Sequence, residues 1–561
     1  MRVDRRLVAG AIIAYVSIAL LLLYFRFFPT LVSAEFTNAL VVGALIILVG
    51  SLVFSILHVR TGADVLLALP PLALATFLAR AIPNLRLALP PLQDPYYHFI
   101  CTENIIRHGT IESQVNSWYG YSPVQLHWPD MHLLTVDLNL VGGVELMDLY
   151  RFQEPLVGVI FLLAVYLVAR ALTGKENVAL LAGAFAAFSD VVIFYQAEYH
   201  PQGLAFVFFA LLLYVLVRSW PRGAAPFAAV FLILTAAITI SHHFSSLLMS
   251  LLAFGALFIS FVVSRLGLFS YGRLELMRDR IMWLSLGVLT LSYHVFVYDV
   301  PLKEYLDMLP IHLLPTASFA TFDLSAPTTY PALLALLTSL KWLTITMALG
   351  LLIFVMARRR LDANRTRLAI ILFLLSAVGT AFYFVPSAPS DRVLAFAMPL
   401  VGIFASILLV ALYENRRAWS KGRPALAFLV VLMLASVPMV GGILNSASAP
   451  AYILQGTEPN QNYYYDNDLP DMVEYRLAAL FGNQAMAANA TVGVMFDTKA
   501  IMLYYGGFPD ISMKDPPEML DDYYVINPVE RLHVINNNTQ FSHAQYIYAN
   551  PSINIVAVQW Y

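Results

Sequence analysis

The segment Asp94-Pro95-Tyr96-Tyr97-His98 sets a carboxylate about one helical turn before an imidazole if Pro95 opens a helix. That pairing suits two kinds of chemistry, proton removal by a carboxylate or capture of a cation by mixed oxygen and nitrogen ligands. A structural role competes. Asp before Pro is a good helix N-cap, and the helix would run to His108 with Gly109 as its stop. Capping and catalysis are compatible only if one carboxylate oxygen stays free.

Further charges recur where apolar runs end. Glu198 and His200 flank Tyr199 in Gln196-Ala197-Glu198-Tyr199-His200-Pro201-Gln202, a short turn between two apolar stretches. Asp190 lies slightly inside the same helix end, His242 and His243 are adjacent, and Ser390-Asp391-Arg392 precedes a late apolar run. Carboxylates and imidazoles gathered at helix ends suit a divalent cation such as Mn2+ or Mg2+, with Asp94, His98, Glu198, His200 and His242 as the candidate ligands. Asp94 and Glu198 are the candidate catalytic carboxylates. Successive side chains on a helix diverge by roughly 100°, so at most one of His242 and His243 serves. A helix N-terminus reinforced by Arg392 favours an anion such as a lipid phosphate. The plain alternatives are a solvated turn at 198–200, an interfacial histidine pair, and a snorkelling arginine.

The elements that must position these residues are membrane helices. Hydrophobic residues make up 60% of the 561-residue chain and charged residues 12%, with a mean hydropathy of +0.72, far from soluble domains. A helix needs roughly 20 apolar residues to cross about 30 Å of hydrocarbon. Runs of that kind fall near 7–26, 37–57, 63–82, 154–171, 176–195, 203–218, 225–241, 245–264, 282–298, 331–356, 368–386, 393–413 and 424–444, about thirteen in all. The expected class is mainly α, a polytopic membrane bundle. The first run has no small-residue cleavage site and reads as a retained helix.

Basic residues orient the bundle. With the N-terminus cytoplasmic, the short inner segments collect most of the 33 Lys and Arg, including Arg358 to Arg360 and the Arg416–Arg423 cluster. Residues 1–444 then form the spanning domain and residues 445–561 an extracytoplasmic C-terminal domain. Two outer loops, 83–153 and 299–330, are long enough to carry function. The first holds interfacial aromatics such as Tyr96, Trp118 and Trp128 and reads as helices along the membrane surface. The second, with Lys303, Glu304, Asp307, His312 and Asp323 among prolines, reads as a lid or a plain connector. In the tail, strands are expected at Thr491–Phe496 and Tyr523–Ile526, a helix at Lys499–Tyr505, and a hairpin around Asn550-Pro551, giving a small mixed α/β domain. Sequons at Asn489 and Asn537 fall in this outer domain.

Several functions are excluded at this stage. A net charge of −2 offers no basic face for nucleic acid. A single cysteine, Cys101, excludes an internal disulfide framework and reads as a packing residue. No Gly-rich strand-to-helix fingerprint points to a nucleotide.

The stretch from Gln93-Asp94-Pro95-Tyr96-Tyr97-His98-Phe99 through Glu103-Asn104-Ile105-Ile106-Arg107-His108-Gly109 resembles the first outer loop of GT-C superfamily glycosyltransferases, closest to the catalytic subunits of archaeal oligosaccharyltransferases. The plan of the chain is similar as well: a multispan bundle, two long outer loops, acidic residues in a second loop, an arginine near a late span, and an outer C-terminal domain. The resemblance implies an essential Asp at Asp94, the second-loop acidic position at Glu198, and the lipid-phosphate arginine at Arg392. It implies a sugar donor carried on polyprenyl or dolichyl phosphate, an acceptor on the outer side that is protein, lipid or glycan, and a location in the cell membrane. Two departures stand beside it. No Trp-Trp-Asp-Tyr-Gly motif occurs in the tail, whose nearest segment is Val494-Met495-Phe496-Asp497-Thr498, and two extra spans precede the Asp-bearing loop. Peptide glycosylation does not follow from the resemblance. Two other classes fit the same charges: a transporter or flippase of lipid-linked saccharide, and a non-catalytic anchor of an envelope layer.

Overall fold

The computed structural model describes residues 4–27, 34–86, 94–111, 128–197, 199–218, 225–265, 273–296, 371, 375, 390–416 and 424–445, together with strands between 492 and 557. The expected loop 299–330, the span 331–356, nearly all of the span 368–386, the helix 499–505 and both sequons lie outside the described residues.

The described chain is an assembly of long apolar helices. In order they are α1 (Arg5–Phe27), α2 (Ala34–His58), α3 (Gly62–Arg86), α4 (Asp94–His108), α5 (Asp130–Leu140), α6 (Leu146–Thr173), α7 (Glu176–Ala187), α8 (Asp190–Ala197), α9 (Pro201–Arg218), α10 (Ala225–Ser241), α11 (His243–Arg265), α12 (Arg273–Phe296), α13 (Ser390–Glu414) and α14 (Pro424–Asn445). Among the described residues five helices are long and apolar enough to cross a membrane, or six if α7 and α8 count as one broken span; the apolar parts of α2, α10 and α11 are shorter. Apolar side chains such as Ile12, Val16, Leu20, Leu66 and Phe258 point outward, exposed by more than half. Lipid is the solvent that tolerates such a surface, and the protein is an integral membrane protein.

By its internal packing the chain divides into two compact units. The first comprises Met1–Ile82, Glu154–Ala197 and Pro201–Glu458. Its centre is α7, where every residue from Val178 to Ala187 is buried. Small residues let the helices approach closely, the usual device where lipid removes a hydrophobic drive to pack. A Cβ at Gly402 of α13 would lie 2.8 Å from the Ala182 carbonyl, and one at Gly183 would lie 3.0 Å from that of Leu162 on α6.

One expected span differs. The run 176–195 is not a single helix: α7 and α8 meet at a bend of 65°. Ser189 and Asp190 explain the break, because short polar side chains compete for backbone partners. The Val191 N–H donates to Asp190 Oδ1 at 2.8 Å, while the N–H groups of Val192 and Ile193 donate to the Ser189 carbonyl. Asp190 is therefore the first residue of a new helix rather than a charge inside the end of an old one.

The second unit comprises Pro83–Gln153, Glu198–His200 and Pro459–Tyr561. Its helices α4 and α5 pack through Cys101, Ile105 and Val136. As expected, α4 stops at Gly109, whose φ of 69° suits glycine and whose N–H donates to the Ile105 carbonyl. The tail contributes a five-stranded sheet in the order β2-β1-β3-β5-β4, with β1 Val492–Val494, β2 Ile511–Ser512, β3 Tyr523–Ile526, β4 Gln545–Ala549 and β5 Asn554–Ala557. The first three strands run parallel, and β4 and β5 pair antiparallel.

Candidate functional site

In the second unit, α4 brings His98 and Thr102 to one face because residues four apart are stacked on a helix. His132 and Thr135 do the same on α5. His98 Nδ1 lies 3.1 Å from His132 Nε2, a hydrogen-bonded pair, and the His98 and His200 rings meet edge to face with centroids 5.7 Å apart. All three histidines are buried. Burial depresses His132 to about 4, outweighing the opposing pull of the Trp128 backbone, so this ring is neutral at physiological pH.

Beside the histidines runs a chain of hydroxyls. The Tyr199 hydroxyl lies 2.9 Å from Thr102 Oγ1 and 2.6 Å from Thr135 Oγ1, and Thr135 donates to Gln153 Oε1 at 2.8 Å. Either hydroxyl can donate in the two tyrosine bonds, and Thr102 Oγ1 also donates to the His98 carbonyl at 3.1 Å. The Tyr199 ring also packs edge to face on Tyr150, at 5.3 Å, and Tyr150 on Phe99 at 4.6 Å. These contacts hold Tyr199 against α4 and α5. Cys101 takes no part: burial pushes its thiol up to about 12, which removes the nucleophilic thiolate.

Of the residues expected from sequence, His98 and His200 are thus brought together, and His132, not expected, joins them. Asp94 opens α4 one turn before His98, although its side chain lies outside the described residues, as does all of Glu198. Among the described residues no three His, Cys, Asp or Glu groups close into a metal-binding arrangement.

The first unit holds Arg392, on the opening turn of α13. Its guanidinium lies 5.7 Å from the centre of the Tyr195 ring and 6.0 Å from that of Phe244. Among the described residues no carboxylate forms an ion pair with it. The two adjacent histidines separate in role. His242 precedes α11 and turns inward, its Nδ1 3.1 Å from Ser245 Oγ, with the Ser245 N–H also directed at it and the Ser246 N–H donating to the His242 carbonyl. That is a cap's work. His243 instead lies within electrostatic reach of Arg392 and His294.

A second group in this unit was not anticipated. Arg80 on α3 is wholly buried and spends its donors on Gln196, Ala187 and Thr76. Glu154 on α6 is buried with it and interacts with its charge. The available signal was the position of Arg80 and Glu154 within the expected spans 63–82 and 154–171, where an ionisable residue is costly and therefore suspect.

No protein-family description matches the chain, and no curated protein is similar to it. Among solved structures it is similar to ArnT from Cupriavidus metallidurans bound to undecaprenyl phosphate, with a TM-score of 0.52 and 12% identity over 89% of this chain and 98% of that one. It is similar also to ArnT from the same organism in the apo state, with a TM-score of 0.51 and 12% identity over 88% and 98% of the two chains. At this identity the likeness is one of fold.

Proposed function

We propose that this protein transfers a sugar or glycan from a polyprenyl or dolichyl phosphate-linked donor to an acceptor on the outer face of the membrane. The observation that carries the reading is the likeness to ArnT over most of both chains, one of those structures holding a polyprenyl phosphate. Arg392 supports it. A guanidinium at a helix N-terminus, half-buried beside two aromatic rings and with no carboxylate ion pair among the described residues, is suited to a phosphate in an apolar setting.

The chemistry assigned to the residues is simple. The acceptor's nucleophilic atom forms a bond to the anomeric carbon, the bond from that carbon to the phosphate oxygen breaks, and its electron pair leaves with the lipid phosphate. The acceptor proton passes to a carboxylate, Asp94 in the first instance and Glu198 as the alternative. Arg392 stabilises the phosphate as its charge rises. A divalent cation, Mn2+ or Mg2+, would be held by Asp94, His98, Glu198 and His200 and would supply further charge neutralisation when bound. The N-terminus is cytoplasmic and residues 445–561 are extracytoplasmic in this reading.

Purified protein incubated with a radiolabelled lipid-linked sugar and candidate acceptors tests the proposal. Cleavage of the donor's glycosidic bond is expected, with its loss in Asp94→Asn that still inserts and folds. Movement of intact donor across the bilayer without cleavage would identify a transporter instead.

A further inference from the structure

His98 and His132 meet nitrogen to nitrogen, and a contact of this kind holds a single hydrogen. His98 Nδ1 lies 3.1 Å from His132 Nε2, the rings are tilted by 36° with centroids 5.2 Å apart, and both are buried. A neutral imidazole carries its proton on one nitrogen and a lone pair on the other. One ring therefore donates and the other accepts, and the choice fixes what the second nitrogen of each ring can do.

The far side of His132 sets the direction. Its ring is wholly buried on α5, and burial keeps it neutral. The carbonyl of Trp128, four residues earlier, attracts a proton to this ring. Nε2 is directed at His98, so Nδ1 is the nitrogen on the side of that carbonyl. His58 shows the same arrangement, with Nδ1 2.8 Å from the Phe54 carbonyl four residues back. A lone pair on His132 Nδ1 would face a carbonyl oxygen, acceptor against acceptor, and no donor among the described residues reaches that nitrogen. A proton on Nδ1 turns the same encounter into an attraction. It leaves Nε2 as the acceptor, so the hydrogen between the two rings comes from His98 Nδ1.

Helix packing holds the pair in register. α4 and α5 meet through Cys101, Ile105 and Val136, both helices belong to the second unit, and the His200 ring packs edge to face on His98 at 5.7 Å.

We propose that His132 is a positioning residue that fixes His98 as the Nδ1-protonated tautomer, with the lone pair on Nε2. A lone pair there accepts a proton or a cation and gives neither, which places His98 on the electron-donating side of the chemistry. The assignment rests on the proposed cation-assisted transfer only for the use made of that lone pair.

The full chain, isotopically labelled in its histidine nitrogens and reconstituted in nanodiscs, tests this by solid-state NMR at neutral pH. The His98 signals are those lost in His98→Gln. In the unsubstituted protein His98 Nδ1 is expected to be protonated and Nε2 unprotonated. His132→Gln, whose amide oxygen accepts in place of the imidazole nitrogen, is expected to keep that pattern, and His132→Phe, which has no acceptor, to move the proton to Nε2. A proton on His98 Nε2 in the unsubstituted protein overturns the proposal without any variant having to fold, and an unchanged pattern in His132→Phe overturns it as well. Titration with Mn2+, followed by electron paramagnetic resonance, is the second readout. Binding is expected to weaken about ten- to a hundredfold in His132→Phe and to stay within about threefold in His132→Gln. Equal, measurable affinity in all three proteins overturns the positioning role. Absence of Mn2+ binding in the unsubstituted protein, with the His98 tautomer still responding to His132→Phe, overturns the cation reading and leaves the assignment of His132 standing.

Discussion

The hydroxyl of Tyr199 lies 2.6 Å from that of Thr135, which bonds the turn between α8 and α9 to α5. His200 follows Tyr199 directly, so this contact determines where its imidazole lies relative to His98. Tyr199 was legible in sequence only as the residue between two charged ones, and the structure makes it the anchor of the turn.

Tyr199→Phe removes the middle of the Thr102–Tyr199–Thr135 chain while keeping the ring that packs on Tyr150. Two buried threonine hydroxyls then each lose a partner, at a cost of about 1–3 kcal/mol. Thermal unfolding in detergent should show a melting point lowered by several degrees. An unchanged melting point would mean that water or another group replaces the hydroxyl at no cost.

Arg392→Gln should weaken binding of undecaprenyl phosphate by about tenfold or more, equivalent to about 1.4 kcal/mol. Arg392→Lys should recover only part of this, since an ammonium lacks the planar fork that grips a phosphate bidentately and is the poorer cation beside the Tyr195 and Phe244 rings. Calorimetric titration with the lipid checks both. Equal affinity in all three proteins would remove Arg392 from the phosphate site.

Stability should depend on pH through His132. Its pKa falls from the ordinary 6.5 to about 4, chiefly through burial, so between those values the unfolded chain binds more protons than the folded one. The contribution is complete above about 6.5, declines as pH falls, and is gone below about 4, with a ceiling of ~3 kcal/mol. Melting temperatures measured from pH 7 to pH 4 should decline, and His132→Gln should flatten that decline. A slope identical in the two proteins would assign the acid sensitivity elsewhere.

Cation binding can be read without turnover. Titration of Mn2+ into the purified protein, followed by electron paramagnetic resonance, should report a site whose affinity drops about tenfold or more in Asp94→Asn and in His98→Gln. Retention of full affinity in Asp94→Asn would leave the carboxylate with proton transfer alone.

Much of the scaffold was present in the amino-acid order. Apolar runs of about 20 residues located α1 to α3, α9, α13 and α14 within a few residues, and Pro95 with Gly109 bounded α4. Alternating β-branched and aromatic residues located β1, β3 and the β4–β5 pair. These features depend on local terms: backbone satisfaction in lipid, glycine at positive φ, and the period of the strand. Asp94, His98, Glu198, His200 and Arg392 stood out for a similarly local reason, the cost of charge beside long apolar runs.

Pairing between distant segments was decided only by the folded chain. Nothing in the run 176–195 announced that Ser189 and Asp190 would break it, because the competing backbone partners gain only when Arg80 takes up the freed Ala187 carbonyl from 107 residues away. His132 had no marker beyond its type, and it became part of the histidine group because α5 packs on α4. His242 and His243 were equivalent in sequence, and the start of α11 separated them. Periodicity identifies which face of a helix is apolar, whereas the partner of a buried charge is set by helix packing, to which residues far apart in the chain contribute together.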